Sequence, residues 1–205
     1  WTKPNSFSVL NKPLELSGPC IQLSSGRILG ACPPFHLGEN DHSGWIIYSD
    51  DNGKTWGKLS EFFNTPKGEI AAWECRLCEI DNNGVAVIFW TYDNVKKINL
   101  NNHIVYSHDG GESFDSAIDT GVRAQASNLM WLDKNIILTI HSHREFPTGL
   151  IIRKVNIENN KFEILEELDL FKDENMSSDS TNITKQFGSL KFGQPSLVRL
   201  KNNEI

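Results

Sequence analysis

One phrase, an apolar strand, a tight polar turn and a second apolar strand, recurs four times along this chain of 205 residues. The copies are CIQLSSGRILGAC (20–32), CRLCEIDNNGVAVIFW (75–90), SNLMWLDKNIILTIHSH (127–143) and PSLVRLKNNEI (195–205), which superpose at Leu23, Ile80, Leu132 and Leu200. They are separated by steps of 57, 52 and 68 residues, and recurrence at such steps marks a repeat architecture. Each copy reads as a hairpin, with turns of the SSG, DNNG and DKN kind between runs of Ile, Leu and Val. The first two continue into a third strand, GWIIYS (44–49) and HIVYS (103–107).

Those third strands run into a second repeat, SDDNGKTW (49–56) and SHDGGESF (107–114), 58 residues apart. Both follow Ser-x-Asp-x-Gly-x-Thr/Ser-aromatic. Ser49 and Asp51, then Ser107 and Asp109, are placed to accept turn amides, while Gly53 and Gly111 take a backbone angle few other residues tolerate. Trp56 and Phe114 then plug each turn into the apolar layer. NIENNKF (156–162) is a degenerate third copy without the Ser and Gly.

These two repeats together resemble the Asp-box, or bacterial neuraminidase repeat, sialidases and their relatives. The resemblance implies an all-β chain built as a six-bladed β-propeller of the sialidase type. At roughly 50–60 residues per blade such a ring needs well over 300 residues, so the chain is read as about three and a half blades, an incomplete ring. It is taken as a single domain over 1–205, with blade repeats near 20–64, 65–122, 123–171 and 190–205 and a polar loop over 172–189 that holds two formal glycosylation acceptors, Asn175 and Asn182. Only LSEFF (59–63) and ILEELDLF (164–171) offer a turn or two of helix. An unclosed final hairpin leaves an open edge that invites self-association, and a half-propeller that dimerises is the alternative. The first residue is Trp1 rather than Met, as expected of a mature product, a trimmed chain or an internal fragment.

Composition excludes several classes of partner. The net charge is −6 with no basic block, which argues against nucleic acid, and no apolar run approaches the roughly 18 residues of a membrane-spanning helix. Cys20, Cys32, Cys75 and Cys78 read as small buried strand residues. Residues three apart on a strand point to opposite faces, so the CxxC of Cys75 and Cys78 is a poor zinc knuckle, and neither metal nor cofactor is expected.

In a propeller the starts of the innermost strands and the loops after the second strands converge on one end of the axis. The first set is Cys20, Glu74 with Arg76, Gln125 with Ser127 and Asn128, and Gln194 with Ser196. The second is His36 and Asp41, Tyr92 and Asp93, and His141, His143 and Arg144. A glycan site draws on such residues: carboxylates for proton transfer, Arg for anionic groups, aromatics for sugar faces.

The resemblance assigns finer roles. Sialidases use a Tyr nucleophile assisted by a Glu, with an Asp as acid/base and three Arg clamping the substrate carboxylate. Asp41 in HLGENDHSG (36–44) stands for the Asp, with Glu39 as a rival, and Glu74 in WECRLCEI for the Glu. Cys20 and His36 stand near the places of the first two clamp arginines and Arg144 at the third, while the nucleophilic Tyr falls beyond Ile205. The catalytic candidates are therefore Asp41 and Glu74, and the substrate-binding candidates His36, Arg76, Tyr92, Asp93, His141, His143, Arg144 and Gln194. At residue level, Asp41 can equally serve as an Asx-turn residue and Glu74 can pair with Arg76 two places along its strand. The implied partner is a glycan or glycoconjugate, handled by an exo-acting glycoside hydrolase in a secreted or periplasmic setting; the alternative is a non-catalytic propeller that binds glycan or protein.

Overall fold

In a computed structural model, residues 14–33, 43–81, 83–145, 148–173 and 193–205 are described. Among them the apolar runs form thirteen strands and no helix. The first sheet holds β1 (Ile21–Gln22), β2 (Ile28–Cys32), β3 (Gly44–Ser49) and β4 (Lys58–Phe63) in that order. The second holds β5 (Ile70–Ile80), β6 (Gly84–Asp93), β8 (His103–Ser107) and β9 (Ile118–Asp119), with the short β7 (Ile98–Asn99) also pairing to β6. The third holds β10 (Ser127–Asp133), β11 (Ile136–His143), β12 (Thr148–Asn156) and β13 (Glu163–Asp173). All pairings are antiparallel.

Two expectations are corrected. LSEFF and ILEELDLF, read as short helical turns, are β4 and β13, the outermost strands of their sheets. Their polar residues suit an edge with one pairing partner, and the ladder to β3 or β12 overrides local helix propensity. The fourth hairpin carries no strand among its described residues. It does form the turn: Leu200 N–H donates to the Glu204 carbonyl at 2.8 Å, as Leu23 N–H does to Arg27 at 2.8 Å. The third residue after the superposed position has positive φ in three copies, 92° at Gly26, 71° at Asn83 and 65° at Asn203, an angle for which Gly and Asn are suited. In the remaining copy a bulge between Trp131 and Asp133 moves that angle to Lys134.

The turns after β3 and β8 share one hydrogen-bond pattern. Ser49 Oγ accepts the Gly53 amide at 2.9 Å and Asp51 accepts the Thr55 amide at 2.9 Å. Ser107 Oγ accepts the Gly111 amide at 2.8 Å, and Asp109 accepts the amides of Glu112 and Ser113, each at 2.9 Å. Both aromatic residues are half-buried: Phe114 packs against the apolar layer, and Trp56 closes its own turn through Nε1–H to the Gly53 carbonyl.

Strand β6 explains how the sheets stack. Successive side chains on a strand point to opposite faces, and all ten residues of β6 are buried. Val85, Val87 and Phe89 enter a cluster with Leu29, Ala31, Ile46 and Phe62 of the first sheet. Ala86 and Ile88 enter a second cluster with Leu129, Ile137 and Val155 of the third. Polar stitches cross the same seams: Ser24 onto Glu79 between the first two sheets, and the Trp131 amide onto Cys78 Sγ at 3.1 Å between the last two. Cys32 and Cys75 are buried as expected, but Cys20, just before β1, is exposed. The outer strand β13 exposes Ile164, Leu165, Leu168, Leu170 and Phe171.

Both families of turns lie at one end of the stacked sheets. The other end gathers the start of β5, the loop after β6, the start of β10 and the loop after β11.

Asp109 provides a stability test. Burial alone would raise its pKa, but hydrogen bonds from the Ser113 hydroxyl and amide and from Ser107 outweigh that and hold it at about 2. A carboxylate depressed in the folded state stabilises above its ordinary pKa and loses that contribution as pH falls toward about 2. Asp109→Ala is expected to cost about 1–2 kcal/mol at neutral pH and less near pH 2, measured by urea unfolding.

Candidate functional site

The site end is organised by an irregularity in β5. Trp73 pairs with Trp90 and Arg76 with Ile88, so the bulge between them sets two residues, Glu74 and Cys75, against Phe89 alone. Glu74 takes φ of 49°, in the left-handed region, at a cost of about 1–2 kcal/mol for a residue with a Cβ. The bulge turns its carboxylate to Arg144 Nη1 at 3.2 Å, across the seam between the second and third sheets. The arginine side chain is 5% exposed and that of Glu74 20%, so the pair is largely withdrawn from water. The expected alternative, Glu74 pairing with Arg76, is corrected: the bulge breaks the alternation on which it rested, and Arg76 Nη1 donates instead to the carbonyls of Ser17 at 2.6 Å and Cys75 at 2.8 Å. Burial lowers the Arg76 pKa, opposed by the nearby Glu74 charge.

Gln125 holds Arg144 from the other side. Its Oε1 accepts the Arg144 amide at 2.8 Å, and its own main chain is fixed by the Ser142 carbonyl at 3.0 Å and by Asn102 Nδ2 at 3.0 Å. The residue is 1% exposed, and its Nε2 has no hydrogen-bond partner among the described residues. A buried donor left in this way costs about 1–3 kcal/mol unless something accepts from it.

An aromatic cluster is built at the same end of β5 and β6. Trp73 stacks on Tyr92 with ring centroids 4.8 Å apart and meets the edge of Trp90 at 5.0 Å. Trp90 and Tyr92 are buried and Trp73 only half-buried. Burial raises the Tyr92 pKa, with Asp93 adding to the effect. Sequence reasoning missed a neighbouring chain of contacts: Trp90 Nε1 donates to Asn99 at 3.0 Å, Asn99 to Glu145 at 2.7 Å, and Arg123 pairs with Glu145 at 2.7 Å. Its one legible signal was Glu145 beside Arg144. At the rim, Lys67, Glu69, Ile70, Asp93, Val95 and Lys96 line a groove of about 400 Å³.

The other expected residues separate by environment. Asp93 caps the loop after β6, accepting the amides of Lys96 at 2.8 Å and Val95 at 2.9 Å, and these bonds hold its carboxyl below the ordinary value. His141 is fully buried. Its Nδ1 lies 3.0 Å from Ser127 Oγ and 3.1 Å from Asn102 Oδ1, and its Nε2 2.9 Å from Thr139 Oγ1, so both ring nitrogens are engaged inside the protein. His143 shares that strand face, with Nε2 3.4 Å from the Arg153 guanidinium, which itself pairs with Glu167 at 2.7 Å. Gln194 is exposed and lies between Gly193 and Pro195, whose carbonyls accept from Ser142 at 3.3 Å and Asn128 at 3.1 Å. His36 and Asp41 lie outside the described residues. Glu74, Arg144 and Gln125 therefore come together, while Arg76, Asp93 and His141 are engaged in the framework.

No family model matches the chain, and no curated protein does. Solved structures do match. A protein of unknown function from Dyadobacter fermentans is 23% identical with a TM-score of 0.61, over 77% of this chain and 42% of that one. The leech intramolecular trans-sialidase is 16% identical with a TM-score of 0.52, over 75% and 24%. The Fusarium graminearum α-L-arabinofuranosidase Arb93A is 16% identical with a TM-score of 0.51, over 76% and 48%. The chain spans less than half the length of each of these structures. At these identities the likeness establishes the fold: an all-β, sialidase-type β-propeller, represented here by three sheets and the turn that follows them.

Two measurements probe the site end. Glu74→Ala, which removes the carboxylate paired with the buried arginine and keeps the Cβ that strains this φ, is expected to destabilise the fold by about 3–5 kcal/mol. The Glu74→Ala, Arg144→Ala double variant should lose less than the two single losses combined. Secondly, burial, followed by the Arg153 charge, lowers the His143 pKa to about 4, and burial drives His141 in the same direction. A base depressed in the folded state binds its proton more readily when unfolded, so stability is full above the ordinary histidine pKa and falls between pH 6.5 and 4. Thermal melts of His143→Gln should show a shallower fall across that window.

Proposed function

We propose that this chain supplies part of the sugar-handling site of a sialidase-like propeller, an exo-acting glycoside hydrolase on terminal sugars of glycans. The observation that carries the reading is the buried Glu74–Arg144 pair, held by a strained bulge at the end where the starts of β5 and β10 and the loops after β6 and β11 gather, next along the strand from the half-buried Trp73. Strain of this kind concentrates at functional sites. In this reading the turns 49–56 and 107–114 are Asp boxes with a framework role, Asp41 is the proton donor, Glu74 and Arg144 hold sugar hydroxyls or an anionic group, and the nucleophile comes from outside this chain.

The engagement of Arg76 by two main-chain carbonyls favours a second reading, in which the propeller binds a glycan without cleaving it. Assays with a fluorogenic sialoside and 4-nitrophenyl α-L-arabinofuranoside on the protein containing this chain separate the two. Hydrolysis reduced at least about a hundredfold by Asp41→Asn, and reduced by Arg144→Ala, supports the first. Saturable glycan binding without turnover supports the second, and full activity in both variants overturns the site assignment.

A further inference from the structure

We propose that Gln125 and the Glu74–Arg144 pair form a subsite that recognises the hydroxyl groups of a neutral sugar, with Gln125 Nε2 as the donor to a ligand oxygen; this rests on the glycan reading above. The first observation is the amide itself. Gln125 Oε1 is occupied by the Arg144 amide at 2.8 Å, which fixes the side chain and leaves the geminal Nε2 beside Arg144, buried and without an acceptor among the described residues. A buried, oriented donor of this kind matches an acceptor oxygen on a ligand.

The second observation is the charge balance. A sugar carboxylate is held most strongly by a guanidinium whose charge no protein carboxylate opposes. Arg144 is neutralised by Glu74, Arg76 is committed to the Ser17 and Cys75 carbonyls, Arg123 to Glu145 and Arg153 to Glu167. What this part of the site offers is a neutral amide donor and a carboxylate acceptor about a guanidinium whose charge Glu74 opposes. A sugar hydroxyl both accepts and donates: it can take the Nε2–H of Gln125 while it, or its neighbour on the ring, donates to Glu74. A carboxylate ligand can accept from Gln125 but meets repulsion from Glu74. Trp73, half-buried on the same strand, offers an apolar surface to a sugar face.

The test follows the side-chain amide signals by ¹H–¹⁵N NMR of the protein containing this chain, titrated with methyl α-L-arabinofuranoside, methyl β-D-galactopyranoside and N-acetylneuraminic acid. The Gln125 pair is assigned by its loss in Gln125→Met, and Gln125→Glu keeps the acceptor for the Arg144 amide while removing the donor. The expected result is that a neutral glycoside shifts the Gln125 amide and the Arg144 Nε–H together, binds at least tenfold more tightly than the acid, and loses about tenfold in affinity in Gln125→Glu. The wild-type amide shift needs no variant to fold. Shifts at Arg144 with Gln125 unmoved, or tighter binding of N-acetylneuraminic acid, would overturn the inference and leave the glycan reading standing. Absence of binding by all three sugars at millimolar concentration would overturn both.

Discussion

The structure depends on one strand that has no solvent face. Strand β6 lies in the middle of the second sheet and sends alternate residues into two different cores, Val85, Val87 and Phe89 to one side and Ala86 and Ile88 to the other. Burial of apolar surface on both faces drives the neighbouring sheets to stack against it, and neither seam forms without the registered ladder that keeps the alternation in phase. The stacking also fixes which polar groups can meet. Glu74 and Arg144 are 70 residues apart in the chain and meet because β5 and β10 are neighbours across the second seam.

The two ends of the stack follow different physical rules. At the turn end, short turns are closed by their own side chains and by Gly or Asn at positive φ, so each is specified locally. At the site end the contacts that fix the side chains are non-local: Glu74 to Arg144, Arg144 to Gln125, Trp90 through Asn99 to Glu145. A buried ion pair is weak evidence for stability, since its desolvation can exceed the Coulombic gain. Here it is combined with a non-glycine residue at φ 49° and a buried amide lacking an acceptor. The coincidence of these three features at one place is the ground on which the sugar-handling site is proposed at this end.

This division explains what was legible in the sequence. The strands, the hairpin turns and the superposition at Leu23, Ile80 and Leu200 were readable because period-two alternation and turn chemistry are local properties. Two elements misread as helical turns, β4 and β13, are edge strands whose state is decided by the partner strand rather than by their own residues. The site was half legible. Glu74, Arg144 and Gln125 stood at the repeat positions expected to face one end, but the bulge that turns Glu74 away from Arg76 breaks strict alternation and leaves no signature in WECRLC. His141 shows the reverse case: its repeat position suggested ligand contact, while the hydroxyl and amide groups surrounding it come from Ser127, Thr139 and the distant Asn102.

The claim that the Glu74–Arg144–Gln125 end is where this propeller handles sugar is tested most directly by a crystal structure of the protein soaked with methyl α-L-arabinofuranoside. The account predicts sugar density within hydrogen-bond distance of Glu74 and of Gln125 Nε2, with the ring against Trp73. Density confined to the turn end, or to the groove lined by Glu61, Phe63 and His103 between the first two sheets, would contradict it.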